Sequence, residues 1–418
     1  MSQPPRYTPA TAAEVESIIA EALAAERGLA VCGGGSKRPM RPPIAAAALL
    51  DMSALTGITV YDPDELVLTA GAGTPLAEIE AALAERQQML AFEPFDHAPL
   101  FGAAPGRATL GGVVAANVSG SRRLSTGAAR DHILGFTAVS GRGEALKGGG
   151  AVVKNVTGFD LPKLMAGSWG TLAVLLSVTL RVLPRPRAET TLLFKGLSDE
   201  AANHLMSAAM ATPAAVSAAA HVCSPQALTA LRLEGFGPSV DARRAELLRV
   251  LKPAGASEAI EAEASRTFWR SVSTQDSLPR ADHVLWRISV PPARGWQVRS
   301  LLAADGVDYL YDWAGALVWA AVPEGAAHAD GARLRVIARS LGGHALLIRA
   351  PQALREALAT ATAGATAGAT VTAGVSASQG GHGGQGDHGG LQRLHQRLKA
   401  AFDPRGILNP GLDLMADL

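Results

Sequence analysis

A run of three glycines, followed by a hydroxyl and a cationic side chain, is the first feature of this sequence that could bind a ligand. It reads Gly33-Gly34-Gly35-Ser36-Lys37 and directly follows a short apolar stretch at 29–32. Glycines let successive backbone N–H groups turn toward one point, and such a concavity binds phosphate oxygens. The spacing matches neither G-x-G-x-x-G nor the Walker sequence G-x-x-x-x-G-K. The run favours a pyrophosphate site, and an ordinary strand-to-loop turn without a ligand is the alternative.

A second segment, 109–131, concentrates glycine and other small residues. A backbone of this kind allows close approach by something large and flat, and collapsed glycine loops without a ligand are the alternative. The residues of interest are Thr109, Gly111, Gly112, Asn117, Ser119, Gly120, Gly127 and Asp131. Arg122, Arg123 and Arg130 add candidate anion contacts, although solvated surface arginines explain them equally well.

A third segment combines KNVTGFD at 154–160 with GSWGTL at 167–172. Asp160 can cap the short helix that follows, with Pro162 in its first turn, and that structural role requires no chemistry. Gly170 opens the last apolar strand of this half of the chain.

The elements around these segments follow from hydrophobic periodicity and capping signals. We predict a helix over 11–27, with Thr11 and Glu14 forming a capping box and Gly28 ending it. Strands follow at 29–32, 58–61 and 66–70, and Thr74 caps a second helix. Although 164–183 is apolar, its glycines and Arg181 favour a buried strand over a membrane span.

Composition limits the classes of function. The chain has 418 residues, 48% of them hydrophobic and 18% charged, as a soluble globular protein requires. A net charge of +1 provides no general field for nucleic acid or anionic membranes. Two cysteines make neither a disulfide framework nor a four-cysteine metal site, so we predict no metal. The N-terminus lacks the apolar core of a signal peptide, and we expect a cytoplasmic protein.

Composition shifts divide the chain into four segments. The prolines at 184 and 186 mark a boundary between a domain at 1–188 and a smaller mixed α+β cap at 189–358. In the cap we predict helices near 199–211 and 241–251, and strands near 284–290, 307–319 and 344–350. Residues 359–390 are an Ala/Thr/Gly-rich linker, and 391–418 form a closing helix and tail that return to the first domain.

The order of these motifs resembles a known family. GGGSK, ATLGG with its following glycines, and KNVTGFDLPKLMAGSWGTL look like the FAD domain of the vanillyl-alcohol-oxidase and p-cresol-methylhydroxylase type. The ending FDPRGILNPG is similar to that of D-lactate, glycolate and D-2-hydroxyglutarate dehydrogenases. Together they most resemble the E-subunit family of bacterial glycolate oxidases, closely over about 10–190 and the last twenty residues.

The resemblance implies a two-part FAD domain with a cap, an α+β fold, and hydride transfer from the alpha carbon of a 2-hydroxy acid to flavin. Residues 33–37 would hold the pyrophosphate, while 109–120, 127–131 and the strand after Gly170 would line the rest of the FAD. It also implies a second flavin subunit and an iron–sulfur subunit as partners. Any membrane association would come through them.

Two departures from the family pattern matter. The histidine-rich H-x-G-D-G-N-x-H segment of the sister subunit is missing, and no catalytic base can be named. His97 is the only histidine before the second segment, and nothing marks it for covalent attachment, so we expect non-covalent FAD. A non-catalytic FAD-binding or assembly subunit and a stand-alone flavin dehydrogenase therefore remain as alternatives.

Overall fold

A short parallel sheet of order β1-β3-β2 contains the first strands of the chain. The computed structural model describes residues 4–41, 44, 46–150, 160–251, 257–358 and 388–412. Helix α1 packs on this sheet through Val15 and Ile19, which are fully buried. The elements are β1 (Arg6–Tyr7), α1 (Ala12–Ala24), β2 (Leu29–Cys32) and β3 (Ala48–Asp51).

A five-stranded antiparallel sheet of order β4-β5-β9-β7-β8 forms the second layer. Its core is packed by α2 and α3 through residues such as Ile79, Leu83 and Val113. The strands are β4 (Ile58–Asp62), β5 (Val67–Gly71), β7 (Ile133–Ser140), β8 (Ala145–Gly149) and β9 (Ala173–Arg181). The helices are α2 (Leu76–Glu85), α3 (Leu110–Ala115), α4 (Arg123–Thr126) and α5 (Leu161–Met165). A separate two-stranded sheet is formed by β6 (Gln88–Met89) and β10 (Leu183–Pro184).

An eight-stranded antiparallel sheet forms the second half of the chain, in the order β14-β11-β13-β12-β16-β17-β15-β18. Its strands are β11 (Ala188–Lys195), β12 (Ala218–Val222), β13 (Leu228–Gly235), β14 (Ser257–Glu261), β15 (His283–Ser289), β16 (Asp308–Asp312), β17 (Leu317–Pro323) and β18 (His344–Arg349). Its helices are α6 (Asp199–Met210), α7 (Gly237–Leu251), α8 (Ala262–Ser273), α9 (Gln297–Leu302) and α10 (Ala332–Ser340).

The two faces of this large sheet have different neighbours. One face packs under α6, α7, α9 and α10 around Leu231, Trp286 and Tyr311. The other face carries Trp313, Trp319 and Leu285 and packs against Met40 and Leu100 of the first half. Alternation of side chains along each strand produces this division.

The C-terminal segment closes onto the start of the chain. Helix α11 (His388–Phe402) leads into a turn where Asp403 accepts hydrogen bonds from the N–H groups of Ile407 (3.0 Å) and Leu408 (2.9 Å). Leu408 forms a parallel bridge to Leu29 on β2. The segment therefore adds backbone pairing to the edge of the first sheet.

The α+β fold class is confirmed, as are the strand at 29–32 and the cap by Asp160, which accepts from the N–H of Lys163 at 3.3 Å. The apolar stretch 164–183 contains strand β9, as predicted. Among helices within the described ranges, none combines the length and the apolar character needed to span a bilayer.

Several local predictions were wrong. Helix α1 ends at Ala24 rather than at Gly28, because Glu26 already adopts a positive φ of 49°. Thr74 does not cap α2: its hydroxyl instead accepts from the N–H of Gly57 at 3.0 Å. The single strand near 307–319 is two strands, β16 and β17, joined by a tight turn at Trp313–Gly315. Of the predicted linker at 359–390, residues 359–387 lie outside the described residues. Helix α11 begins at His388, within the range that was predicted to be linker.

Candidate functional site

A deep groove runs between the first sheet, helix α3 and the loop before β9. It encloses about 1040 Å³ of free space, including the part open to solvent. Nine of the fourteen predicted site residues line it: Gly33, Gly34, Gly35, Ser36, Lys37, Thr109, Gly111, Gly112 and Gly170. The three separate glycine segments of the sequence therefore meet at one place.

The loop after β2 presents its backbone to this groove. Within the described residues, the N–H groups of Gly34, Gly35, Ser36 and Lys37 donate no hydrogen bond, and Ser36 and Lys37 are buried. Gly35 has a φ of 74°, a conformation that glycine adopts without strain. Consecutive unbonded N–H groups in such a loop are a typical anion-binding arrangement.

Gly34 has a structural reason to be glycine. A Cβ atom there would overlap the carbonyl oxygen of Arg107, whose Nε donates to the Gly34 carbonyl at 3.0 Å. A side chain introduced at Gly34 would therefore push the loop after β2 away from the segment before Thr109. Loss of ligand in a Gly34 variant would follow from that separation, and would not by itself locate a pyrophosphate.

Lys37 brings a cation into the buried end of the loop. Its side chain is 6% exposed, and its Nζ donates to Ser36 Oγ at 3.2 Å. Burial lowers the pKa of Lys37 to about 8, against the opposing influence of Asp96. Because burial disfavours the charged form of this ammonium, a bound anion would stabilise it.

Helix α3 forms the opposite wall. Thr109 is its N-cap, and its hydroxyl accepts from the N–H of Gly112 at 3.4 Å. Gly111 packs so closely on Ala72 that a Cβ atom would lie 2.8 Å from the Ala72 methyl. Gly112 is more open: its hypothetical Cβ would lie 3.2 Å from Thr109 Oγ1 and 3.8 Å from Lys37 Nζ, at the lining of the groove.

The third wall joins the loop before β9 to the C-terminal tail. The Asn409 amide donates to the Trp169 carbonyl at 2.7 Å, and its Oδ1 accepts from the Val31 N–H at 2.7 Å. Trp169, Gly170 and Asn409 all line the groove. One tail residue therefore connects the strand before the glycine run with the loop that faces it.

The other five predicted site residues lie outside the groove lining and make local contacts. Asn117 Oδ1 accepts from the Arg130 N–H at 3.0 Å, and Ser119 Oγ accepts from the Ala129 N–H at 3.0 Å. Asp131 accepts from the Ala128 N–H at 2.8 Å, beside Gly127. Gly120 donates its N–H to the Phe92 carbonyl at 2.9 Å. Their role as FAD contacts stays a prediction.

Three arginines gather beyond the Trp169 end of the groove. Arg41, which lines it, stacks on Trp169 at 4.5 Å, while Arg123 and Arg287 lie over Trp313 at 4.4 and 5.2 Å. Burial, and then the charges of Arg123 and Arg41, lower the pKa of Arg287 to about 10. This arginine cluster, Arg41–Arg123–Arg287, combines residues from both halves of the chain.

Asp312 influences Arg287 less than burial and the neighbouring arginines do. Burial raises the pKa of Asp312 to about 7, despite hydrogen bonds to its carboxylate from the Trp313 N–H (2.7 Å) and Ser121 Oγ (2.8 Å). His97 is also nearby and buried. Burial, followed by the charge of Lys37, holds its pKa well below the usual range, so it adds no charge at neutral pH.

A buried ion network holds the two halves together close to this region. Arg232 of β13 donates to both carboxylate oxygens of Glu93, at 2.8 and 2.9 Å. Arg122 donates its Nε to Glu234 at 2.9 Å and its backbone N–H to Glu93 at 2.8 Å. Two acids and two bases, one of each from either half, thus fix the position of the large sheet relative to the groove.

Sequence reasoning missed several residues of the site. Trp169 and Asn409 stand in motifs that the sequence made conspicuous, GSWGTL and ILNPG, but neither was singled out. Arg41 and Arg287 had no local signal at all, because ordinary surface arginines look the same in a sequence. Only the packing of β15 and β17 against the first half brings Arg287 to Arg123.

Comparison with known proteins agrees with the groove. Residues 6–149 match the family model described as FAD binding domain. Of the solved structures, 4-ethylphenol oxidase from Gulosibacter chungangensis superposes with a TM-score of 0.67 at 14% identity, over 97% of this chain and 88% of that one. The chain is thus a flavoprotein with an FAD-binding domain, and it shares its fold with 4-ethylphenol oxidase.

Sequence relatives narrow the class. Glycolate oxidase subunit GlcE of Escherichia coli is 35% identical over 94% of both chains. D-lactate dehydrogenase of Archaeoglobus fulgidus is 32% identical over 44% of this chain and 40% of that protein. This chain belongs to the family of glycolate oxidase subunit GlcE, and it is an FAD-dependent oxidoreductase subunit.

Proposed function

We propose that the chain binds FAD with its pyrophosphate against the loop 33–37. The unbonded N–H groups of Gly34–Lys37 and the buried Lys37 ammonium match the charge and the acceptors of a pyrophosphate. Helix α3 and the Trp169–Gly170 loop would hold the remainder of the cofactor along the groove. The residues present therefore suit an extended dinucleotide.

We infer that this FAD is not covalently attached. Among the described residues that line the groove, none is a histidine, and the one thiol is Cys32. Burial, followed by the charge of Asp51, raises the pKa of Cys32 to about 11. The thiol is therefore a poor nucleophile at neutral pH.

We propose that the substrate is a small 2-hydroxy acid, with glycolate the leading candidate. The observation that carries this proposal is the arginine cluster beside the groove, because such cations bind a carboxylate strongly where water is partly excluded. Bound FAD supplies the two-electron acceptor for the hydride from the alpha carbon. Arg287 and Arg123 would orient the acid, and Trp313 would limit the space beside it.

We further propose that the chain works in a complex with a second flavin subunit and an iron–sulfur subunit. The Escherichia coli relative is named as a subunit, which supports assembly. Two cysteines cannot carry an iron–sulfur cluster, so electrons would leave through a partner. We place this subunit in the cytoplasm, with any membrane contact made through the partners. We further propose an FAD-binding domain at 1–188, a cap at 189–358, a linker at 359–390 and a C-terminal helix and tail at 391–418.

A non-catalytic FAD-binding subunit is the second candidate. The missing H-x-G-D-G-N-x-H segment favours it. In that case FAD would bind, while reduction by glycolate would depend on another subunit.

Absorbance of the purified chain tests the cofactor proposal. We expect stoichiometric flavin in the wild type and strongly reduced flavin in Gly112→Val, whose side chain would enter the groove. Gly325→Val is the matched control, because Gly325 is exposed and a Cβ there meets nothing within 4 Å. Full flavin content in Gly112→Val would refute the placement of FAD.

Anaerobic addition of glycolate tests catalysis. We expect the flavin of the complex co-expressed with both partners to be bleached, and Arg287→Met to raise the KM for glycolate while flavin content stays normal. An unchanged KM would remove the arginine cluster from substrate binding. Rapid turnover by the isolated chain would instead favour a stand-alone dehydrogenase.

A further inference from the structure

Three potential metal ligands converge on the far side of the large sheet, away from the groove. They are Asp199 at the start of α6, His221 on β12 and Cys223 just after it, and their donor atoms all lie within 4.8 Å of one another. Asp199 Oδ1 lies 3.6 Å from His221 Nε2 and 3.8 Å from Cys223 Sγ. We call these residues the Asp199–His221–Cys223 triad.

The imidazole of His221 is held with one nitrogen aimed into the triad. Its side chain is 1% exposed, and Nδ1 lies 2.9 Å from Thr229 Oγ1 on the neighbouring strand. When Nδ1–H donates to this hydroxyl, Nε2 carries the lone pair. Among the described residues Nε2 has no hydrogen-bond partner, even though it is buried. A buried, unsatisfied ring nitrogen beside a carboxylate and a thiol is suited to a ligand that would compensate for its desolvation.

The carboxylate of Asp199 is also oriented from behind. Tyr311 OH donates to Oδ2 at 2.7 Å, which leaves Oδ1 as the oxygen nearest His221 and Cys223. Arg299 approaches both oxygens, at 3.2 and 3.3 Å, but its side chain is half exposed and can move aside. Outer hydrogen bonds such as those from Tyr311 and Thr229 are the usual supports of metal ligands.

The thiol and the carboxylate provide the charge that a divalent ion requires. A cysteine thiol is mostly protonated at neutral pH and binds a metal ion as the thiolate. Metal binding would form a metal–sulfur bond and release this proton to solvent.

We propose that Asp199 Oδ1, His221 Nε2 and Cys223 Sγ bind one zinc ion, with water as the fourth ligand. Tetrahedral zinc with bonds of about 2.0–2.3 Å requires its ligand atoms to be roughly 3.3–3.8 Å apart. The separations of Asp199 Oδ1 from His221 Nε2 and from Cys223 Sγ fall in this range, and all three donor atoms lie within 4.8 Å of one another. A set of one thiolate, one imidazole and one carboxylate favours zinc over magnesium or calcium. Asp199 and Cys223 are partly exposed, which leaves a path for the ion.

The position of the triad assigns this zinc a structural role. Tyr311 belongs to the core beneath α6 and α7, on the face opposite to Trp313 and the groove. A zinc ion there would tie the first turn of α6 to β12, and would not touch FAD or substrate. Its effect should therefore appear in stability rather than in turnover.

Elemental analysis of the FAD-loaded protein, dialysed after growth with added zinc, tests the proposal directly. We expect one zinc per chain in the wild type, and none in Cys223→Ala or Cys223→Ser, with flavin content equal in all three. Zinc at one hundred times its dissociation constant should raise the melting temperature of the wild type by roughly 3 °C, and that of the variants by nothing.

The two cysteines provide an internal control. Zinc should protect one of the two thiols of the wild type from a disulfide reagent, whereas magnesium should protect neither. In Cys223→Ser the remaining thiol, Cys32, should react at the same rate with or without zinc. Equal zinc content in wild type and variants, or a wild type that binds no zinc, would overturn the proposal and leave an Asp199–His221 contact without a metal.

Discussion

We expect the Glu93→Gln substitution to destabilise the protein, because it breaks the ion network between the two halves. The substitution keeps the size of the side chain but removes its charge. Arg232, whose side chain is 1% exposed, then loses a partner that accepts two hydrogen bonds at 2.8 and 2.9 Å. Glu234, 3.5 Å from its Nε, then remains as the ion-pair partner of the guanidinium in the described part of the chain.

The magnitude follows from this geometry. Removing one partner of a buried ion pair costs about 3–5 kcal/mol. Glu93 is 21% exposed and Glu234 remains, so we place the loss of unfolding free energy near the lower end, about 3 kcal/mol. For a protein of 418 residues that corresponds to roughly 3–4 °C in melting temperature.

Denaturant unfolding, followed by tryptophan and flavin fluorescence, measures this loss. Arg232→Met removes the buried cation as well, so the double variant with Glu93→Gln should be less destabilised than the sum of the two single changes. Glu246→Gln, which breaks the exposed pair with Arg249, is the control and should produce no measurable change.

Strict additivity in the double variant would refute the reasoning, as would a Glu93→Gln protein within about 0.5 kcal/mol of the wild type. Either result would mean that water enters between the two halves and screens the network.

Two further predictions concern buried titratable groups. The pKa of Asp312 is raised from 3.8 to about 7, so over that interval the folded state holds a proton that the unfolded state has released, and stability falls as pH rises. Asp312→Asn should remove this pH dependence of stability. The gain in melting temperature of the variant over the wild type should therefore be larger at pH 8 than at pH 5, and equal gains would contradict the prediction. Lys37→Met should weaken FAD affinity by at least about tenfold, the loss of one charged hydrogen bond, while leaving the apoprotein as stable or more so. Because the pKa of Lys37 is about 8, wild-type affinity should also decline above that pH, and a flat profile in flavin titrations would argue against a role for this charge.

The sequence by itself determined the first half of the chain well. Glycine is required where the backbone turns or is closely approached, and such positions are visible as clusters without any knowledge of the fold. The segments around 33–37, 109–112 and 170 were all identified in this way, and all meet in the groove. The same reasoning included residues 117–131, which make local contacts outside the groove lining, and their role as FAD contacts stays a prediction.

Capping and helix ends were only partly readable. Thr11 caps α1 as predicted, accepting from the Glu14 N–H at 3.3 Å, because that interaction is local. Thr74 has the same residue type in a similar context, yet it bonds to Gly57, a neighbour that only the pairing of β4 and β5 brings near. Competition between a local and a distant partner cannot be resolved from adjacent residues.

The tertiary structure alone decided the chemistry between the two halves. Arg41, Arg123 and Arg287 lie far apart in the chain, and each could be a solvated surface residue. Their charges influence one another only because the large sheet packs its Trp313 face against the first half. Asp199, His221 and Cys223 likewise become neighbours through the docking of α6 on β12. Electrostatic interaction depends on distance and burial, and neither quantity is set by local sequence.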